Sequence, residues 1–99
     1  MIEEELLELL LKLKKYKRKP YFTLNEIVKY ILNHDSTSSV TTIIIKLKRL
    51  ERKHLVRRIR RLKYGKEIWG FPIYETVYII YDRAIERYLN RGRTLTIWG

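Results

Sequence analysis

Eleven lysine and arginine residues lie between positions 46 and 66, against a single acid, Glu51, so this segment has a net charge of +10. The whole chain of 99 residues has a net charge of +11, and the remaining residues are therefore almost balanced. Guanidinium and ammonium groups only donate hydrogen bonds, and they pair strongly with phosphate and carboxylate oxygens. Positive charge that is concentrated in one segment is typical of a protein that binds a polyanion.

The basic residues after position 55 lie in a segment whose composition predicts a β-hairpin. Residues 56–62 (VRRIRRL) and 76–81 (TVYIIY) have strand composition, residues 63–66 favour a turn, and residues 67–75 favour an extended loop. A solvated hairpin usually alternates the sign of its charges, whereas this one has no acid before Glu67, and phosphate contact is therefore the favoured interpretation. The candidate phosphate contacts are Arg57, Arg58, Arg60, Arg61, Lys63 and Lys66.

A helix is predicted immediately before this hairpin, over residues 39–53. Its buried side is formed by apolar residues at helical spacing, namely Val40, Ile43, Leu47 and Leu50. On the opposite side, an arginine can pair with a guanine edge and an isoleucine can contact a thymine methyl group. Capping is the alternative role of the hydroxyl residues, and a solvated face is the alternative for the bases. The candidate DNA contacts here are Ser38, Ser39, Thr41, Thr42, Ile45, Lys46, Arg49 and Arg52.

Two further helices are predicted nearer the N-terminus. Residues 2–17 carry acids in the first turns and lysines in the last, as the helix dipole favours, and their apolar stripe is Ile2, Leu6, Leu9, Leu10 and Leu13. Leu7 and Leu11 widen this stripe beyond one core face, so we expect a second subunit or the C-terminal segment to cover them. Thr23 and Glu26 have the spacing of a capping box that begins the second helix.

The C-terminal third allows two interpretations. In the first, the return strand is followed by a short helix, residues 83–90, which Asp82 caps and Gly92 ends. In the second, residues 74–90 form one long helix, because their apolar residues also fit a helical face. The tail, residues 94–98 (TLTIW), has the composition of a final strand.

The order of a helix, a capped helix, a polar turn, a helix with a basic face and an arginine-rich hairpin resembles the winged helix-turn-helix arrangement. Within it, KRLERKHLVRR (Lys48–Arg58) is similar to the pattern KRLExxGLVxR of winged-helix repressors of the MarR, PadR and penicillinase-repressor type. Small regulators of this kind are frequent in archaea and their viruses. The resemblance covers residues 22–62 in detail, and it departs at His54, where the family usually has a glycine with a left-handed backbone.

The residue types give little support to other classes of function. The chain has no cysteine, which excludes a disulfide framework, a thiolate zinc site and a cysteine nucleophile. Neither a catalytic triad order nor a phosphate-binding glycine loop occurs, and His34 and His54 lack a nearby ligand set, so we expect no enzyme activity, no cofactor and no metal. The apolar runs are shorter than the roughly 20 residues of a membrane span. We expect a cytoplasmic protein (inside the host cell if it is viral), from a thermophilic source.

The sequence therefore predicts a single α+β winged helix-turn-helix domain over residues 1–99, with a three-helix core, a hairpin wing and a C-terminal helix. We expect it to bind double-stranded DNA sequence-specifically, as a transcription regulator. A homodimer is expected because one short helix contacts too few base pairs for specificity, and the N-terminal helix and C-terminal segment are the candidate dimer interface. The alternatives are a non-specific structural nucleic-acid binder, of chromatin or RNA-binding type, and a protein-interaction domain. Neither an operator nor an effector is identified.

Overall fold

The computed structural model describes the backbone of residues 1–68 and 71–98 and the side chains of residues 1–63 and 71–91. Within these ranges the chain forms an α+β domain of four helices and a three-stranded antiparallel sheet of order β1-β3-β2. The elements in chain order are α1 (Glu3–Lys17), β1 (Phe22–Thr23), α2 (Leu24–His34), α3 (Val40–Arg52), β2 (Val56–Ile68), β3 (Phe71–Ile80) and α4 (Asp82–Trp98).

α1 contributes four fully buried leucines to the core, namely Leu6, Leu7, Leu10 and Leu13. Leu7, for which a second subunit and the C-terminal segment were the two expected covers, is 0% exposed within this one chain, so a second subunit is not needed to cover it. Leu11 is partly buried against the same core, and so are Tyr88 and Leu89 of α4, the helix that contacts α1. Ile2 is 59% exposed and does not belong to the buried stripe, because it precedes the first helical residue.

α2 begins with the capping box that the sequence predicts. The Thr23 hydroxyl oxygen accepts a hydrogen bond from the Glu26 backbone N–H at 3.2 Å, and Glu26 Oε1 accepts one from the Thr23 backbone N–H at 3.4 Å. Phe22, before the cap, and Ile27, at the fourth helical position, are both fully buried. This is the arrangement of a hydrophobic staple, which fixes the direction in which the chain enters the helix.

α3 agrees closely with its predicted range, and Ser39 and Lys53 are its capping positions. Ile43, Leu47 and Leu50 are buried as predicted, but Val40 is 45% exposed. The prediction for Val40 is wrong because this first helical residue extends beyond the edge of the core. After the helix, His54 has a φ of 60°, which confirms the left-handed backbone expected at this position.

β2 and β3 form a longer hairpin than the sequence predicts. Their pairing runs from Val56 opposite Ile80 to Leu62 opposite Tyr74, and it resumes with Glu67 opposite Pro72 and Ile68 opposite Phe71. The predicted turn at residues 63–66 is therefore wrong, and so is the predicted loop over residues 67–75, apart from residues 69 and 70, which lie outside the described residues. The register shifts between Leu62 and Glu67, so the turn-forming composition there produces an irregularity in the strand instead of a chain reversal.

The C-terminal third is a strand followed by a helix, and the single helix over residues 74–90 is wrong. α4 continues to Trp98, so Gly92 does not end it and the tail is not a strand. One glycine inside a helix costs only about 1 kcal/mol, which a helix can tolerate. The start of α4 is fixed to α1, because Lys14 Nζ donates hydrogen bonds to Asp82 Oδ1 at 3.1 Å and to the Ile80 carbonyl oxygen at 2.8 Å.

Candidate nucleic-acid interface

The hydroxyl residues before α3 are mostly engaged in hydrogen bonds within the chain. Ser39 Oγ accepts a hydrogen bond from the Thr42 backbone N–H at 3.1 Å and lies 2.8 Å from Thr42 Oγ1, so Ser39 caps the helix. Ser38 Oγ donates to Asp35 Oδ2 at 3.0 Å. Hydrogen bonds from Thr37 and Ser38 lower the pKa of the Asp35 carboxyl. Of the four predicted hydroxyl contacts, Thr41 is the one that is exposed and has no capping role.

The outward side of α3 combines an apolar residue with several bases. Thr41, Ile45, Lys48, Arg49 and Arg52 are exposed, and their spacing of three and four residues places them on one side of the helix. No described carboxylate lies within 4.0 Å of the three basic side chains among them. The cations on this side of the helix are therefore available to an external anion. Lys46 is half-buried at the margin of this side.

Strand alternation divides the arginines of the hairpin between two faces. Val56 is buried in the core beside α3, and Arg58, Arg60 and Leu62 follow it on the same face, which we call the inner face. The other face, which we call the outer face, carries Arg57, Ile59 and Arg61. The prediction from sequence grouped all of these arginines as equivalent phosphate contacts. Their positions in the sheet make two sets that can be tested separately.

Arg58 joins the inner face of the hairpin to α3. Its Nε lies 3.7 Å from Glu51 Oε1, and Arg58 is directly opposite Tyr78 in the sheet. Burial raises the pKa of Tyr78, and the positive charge of Arg58 opposes this effect. Arg58 therefore has neighbours on both α3 and β3 at the place where the helix and the hairpin meet.

Further along the inner face, Arg60 lies over the ring of Tyr74, with 5.0 Å between the guanidinium carbon and the ring centroid. Leu62 is directly opposite Tyr74 in the sheet, and the two residues are 43% and 52% exposed. A guanidinium that stacks on an aromatic ring keeps its edge donors available, because the ring contacts only its face. The inner face thus presents an ordered cation next to a small apolar patch.

On the outer face, Arg61 has contacts that serve the fold. Its guanidinium carbon lies 4.0 Å from the centroid of the Tyr21 ring, and its Nε lies 4.0 Å from Glu75 Oε1 on β3. Its side chain is only 27% exposed. Arg61 therefore fastens the hairpin to the segment before β1, a role that the sequence alone did not suggest. Arg57 is exposed on this same face, with no carboxylate within 4.0 Å among the residues described.

Two predicted contacts remain. Lys63 is exposed in the irregular part of β2, and the side chain of Lys66 lies outside the described residues. The cleft between α3 and β2 brings together Lys48, Arg52 and Arg58. Arg49 is next to Lys48 on the outward side of α3, and Arg60 follows Arg58 on the inner face. We call these five cations, Lys48, Arg49, Arg52, Arg58 and Arg60, the basic surface.

Lys53 shows how differently a neighbouring cation can be used. Its Nζ donates to both carboxylate oxygens of Glu3, at 2.7 and 2.9 Å, and to the Tyr88 hydroxyl at 3.0 Å. The hydrogen bonds to Glu3 and Tyr88 raise the pKa of Lys53. This lysine therefore connects the beginning of α1, the end of α3 and α4, and it does not belong to the basic surface.

The described side chains offer no metal site. No group of three histidine, cysteine, aspartate or glutamate side chains in residues 1–63 and 71–91 could hold a metal ion. None of the helices, as far as they are described, is long and apolar enough to span a membrane. No protein-family model, curated protein or solved structure matches the chain.

Proposed function

We propose that this chain is a double-stranded DNA-binding protein with a winged helix-turn-helix architecture. α3 is the helix that enters the major groove, and the β2–β3 hairpin is the wing. The observation that carries this proposal is the basic surface, where cations of a helix and of an adjacent hairpin lie side by side with a single carboxylate, Glu51, among them.

The dimensions and residue types of this surface suit duplex DNA. The major groove admits one α-helix, and a hairpin beside that helix reaches the neighbouring sugar-phosphate backbone. Thr41, Ile45 and Arg49 point from α3 with the chemistry for contacts to base edges, since they offer a hydroxyl, a methyl-contacting surface and a guanidinium. Lys48 and Arg52, together with the inner face of the hairpin, supply the contacts to phosphate that position the helix.

The proposal includes sequence specificity and a role as a transcription regulator that acts as a homodimer. A helix of 13 residues contacts too few base pairs for specificity in a genome, and a second copy doubles the site. The burial of Leu7 inside the chain removes one sequence argument for the dimer, and the argument from site size is independent of it.

Competition in a mobility-shift assay tests this function. The protein is bound to duplex DNA from upstream of its own gene, and random duplex, single-stranded DNA and duplex RNA of equal length serve as competitors. If the protein is a specific regulator, none of the three competitors should displace the upstream DNA efficiently. Equal competition by random duplex would favour the structural nucleic-acid binder, and stronger competition by RNA would contradict the assignment to DNA.

A pair of double variants separates the basic surface from the general positive charge. Arg49→Ala/Arg52→Ala removes two charges from α3, and Arg83→Ala/Arg87→Ala removes two exposed charges from α4. We expect the first to weaken duplex binding about tenfold or more, and the second to weaken it less than about threefold. Equal losses would mean that net charge, and not this surface, determines binding.

A further inference from the structure

We propose that Lys48, Arg52 and Arg58 form a seat for one phosphate group of the nucleic-acid backbone, in the cleft between α3 and β2. This inference rests on the proposed function and deepens it, because it names the point at which the duplex backbone is fixed to the protein. We call these three residues the phosphate seat. No sequence pattern singled out the three residues as a group, since Arg58 belongs to a different element from the other two.

The geometry of the cleft supports this inference. It has a volume of about 340 Å³, it is open to solvent, and its lining is formed by Lys48, Glu51, Arg52 and Arg58. The helix supplies the first three residues within slightly more than one turn, and the inner face of the hairpin supplies the fourth. A phosphate group in this cleft is reached from two elements, and this fixes the hairpin relative to the helix.

The charges in the cleft are unbalanced. Three cations and one carboxylate line it, so it keeps a positive charge in the free protein. The interaction of the Glu51 carboxylate with Arg58 is weak, because the 3.7 Å between Arg58 Nε and Glu51 Oε1 is longer than a good charge-assisted hydrogen bond. An anion relieves the repulsion between the three cations, and a phosphodiester offers two charged oxygens to guanidinium donors.

Arg58 is the residue on which the seat depends, because it is the cation that β2 contributes to the cleft. Its Nε lies 3.7 Å from Glu51 Oε1, and it is directly opposite Tyr78, which is 5% exposed. These neighbours restrict the guanidinium, and a restricted side chain loses less conformational entropy on binding than a free surface arginine. Arg58 is 51% exposed at its side chain, so donors remain open to solvent.

The hairpin itself supplies a matched control. Arg57→Ala and Arg58→Ala change the net charge equally, at adjacent positions of the same strand, and Arg57 faces away from α3. On random duplex DNA, we expect Arg58→Ala to weaken binding about tenfold and to flatten the slope of log K against log salt by about one unit. For Arg57→Ala we expect less than a threefold loss. Equal losses in the two variants would overturn the seat.

Two further variants separate the seat from a general effect of charge or folding. Arg58→Lys keeps the charge and loses the planar guanidinium, so we expect its affinity for duplex DNA to lie between the affinities of the wild type and Arg58→Ala. Tyr78→Phe keeps every charge and removes the phenol hydroxyl of the residue opposite Arg58, and we expect a two- to fivefold weaker binding with an unchanged salt slope. Wild-type binding by Tyr78→Phe would contradict the positioning of Arg58, and thermal melts of all variants identify any that unfold.

Inorganic phosphate, titrated into the free protein and followed by NMR of the arginine Nε–H signals, distinguishes a backbone phosphate from a free anion. For a backbone seat, we expect the Arg58 signal to shift only at millimolar phosphate. Saturation at micromolar phosphate would assign the cleft to a small anion and overturn the backbone seat. If the wild type binds no duplex at all, the proposed function fails; if it binds and Arg58→Ala equals Arg57→Ala, only the seat fails.

Discussion

The chain uses its cations differently in the helical body and on the basic surface. In the body, long-range ion pairs connect elements that are far apart in sequence: Lys14 with Asp82 at 3.1 Å and Lys53 with Glu3 at 2.7 Å. On the basic surface, Lys48, Arg49 and Arg52 lack a described carboxylate within 4.0 Å, and the described ion pair of the Glu51 carboxylate is with Arg58, at 3.7 Å. Charges in the body hold the fold together, whereas those on the surface remain available for an external polyanion.

This difference implies that stability and binding can be changed independently. The body buries its apolar side chains in one core, and no described polar side-chain atom is buried without a partner. The basic surface contributes few contacts to that core, because its side chains point outward from α3 and from the hairpin. Variants in the body should therefore leave duplex binding intact, and variants on the basic surface should leave stability intact.

The largest effect is expected for Leu10→Ala in the body. Leu10 is fully buried at the centre of α1, and the cavity left by its side chain should lower the free energy of unfolding by about 2–5 kcal/mol. The affinity of the remaining folded protein for duplex DNA should be unchanged, and urea unfolding and a binding titration measure the two quantities. Weaker duplex binding in fully folded Leu10→Ala would break the separation of the two regions.

A smaller effect, confined to binding, is expected on the surface. Arg49→Ala should cost about 1–3 kcal/mol on the specific site and little on random duplex, because a guanidinium on α3 pairs with base edges. Arg60→Ala, on the hairpin, should weaken binding to the specific site and to random duplex by similar amounts. It should also flatten the salt slope by about one unit, as expected for a phosphate contact. Equal losses on specific and random DNA for Arg49→Ala would favour a structural binder without base contacts.

The smallest effect is expected for pH, and it belongs to the body. The hydrogen bond from Lys14 lowers the pKa of Asp82 in the folded chain. A lowered folded pKa adds stability that is fully present above the unfolded pKa, about 3.9 for an aspartate, and is lost as the pH falls below it through the folded pKa. The stabilisation from the Lys14–Asp82 pair is below about 1 kcal/mol, because water screens both side chains. Asp82→Asn should therefore show a flatter dependence of unfolding free energy on pH over this range, and an unchanged dependence would contradict the pairing.

Local features of the fold could be predicted from the sequence, because neighbouring residues determine them. The capping box of Thr23 and Glu26 and the left-handed His54 are confirmed, and Ser39 has the capping role that was the alternative to a DNA contact. Features that depend on distant partners were left open or predicted wrongly. Two covers were possible for Leu7, and it is buried in a core to which α4, far along the chain, also contributes. The predicted turn after Leu62 is wrong, because β2 extends to Ile68, where β3 offers a partner.

The candidate site divides in the same way. Helical periodicity was sufficient to identify the outward side of α3, because residues three and four positions apart lie on the same side of a helix. The two faces of the hairpin required knowledge of where the strand enters the core, at Val56. The structural role of Arg61 depends on Tyr21, forty residues earlier in the chain, and no local pattern indicates such a contact.

The dependence of duplex binding on salt tests the central claim most directly. If the basic surface and the rest of the hairpin together contact roughly six phosphates, the slope of log K against log salt should be about −5. The wild-type protein is titrated with a random duplex from about 50 mM to about 200 mM salt, a range in which such a slope is readily measured. A slope near −5 is the result that this account predicts. A slope shallower than about −2 would contradict it, because the concentrated positive charge would then not be contacting the phosphate backbone.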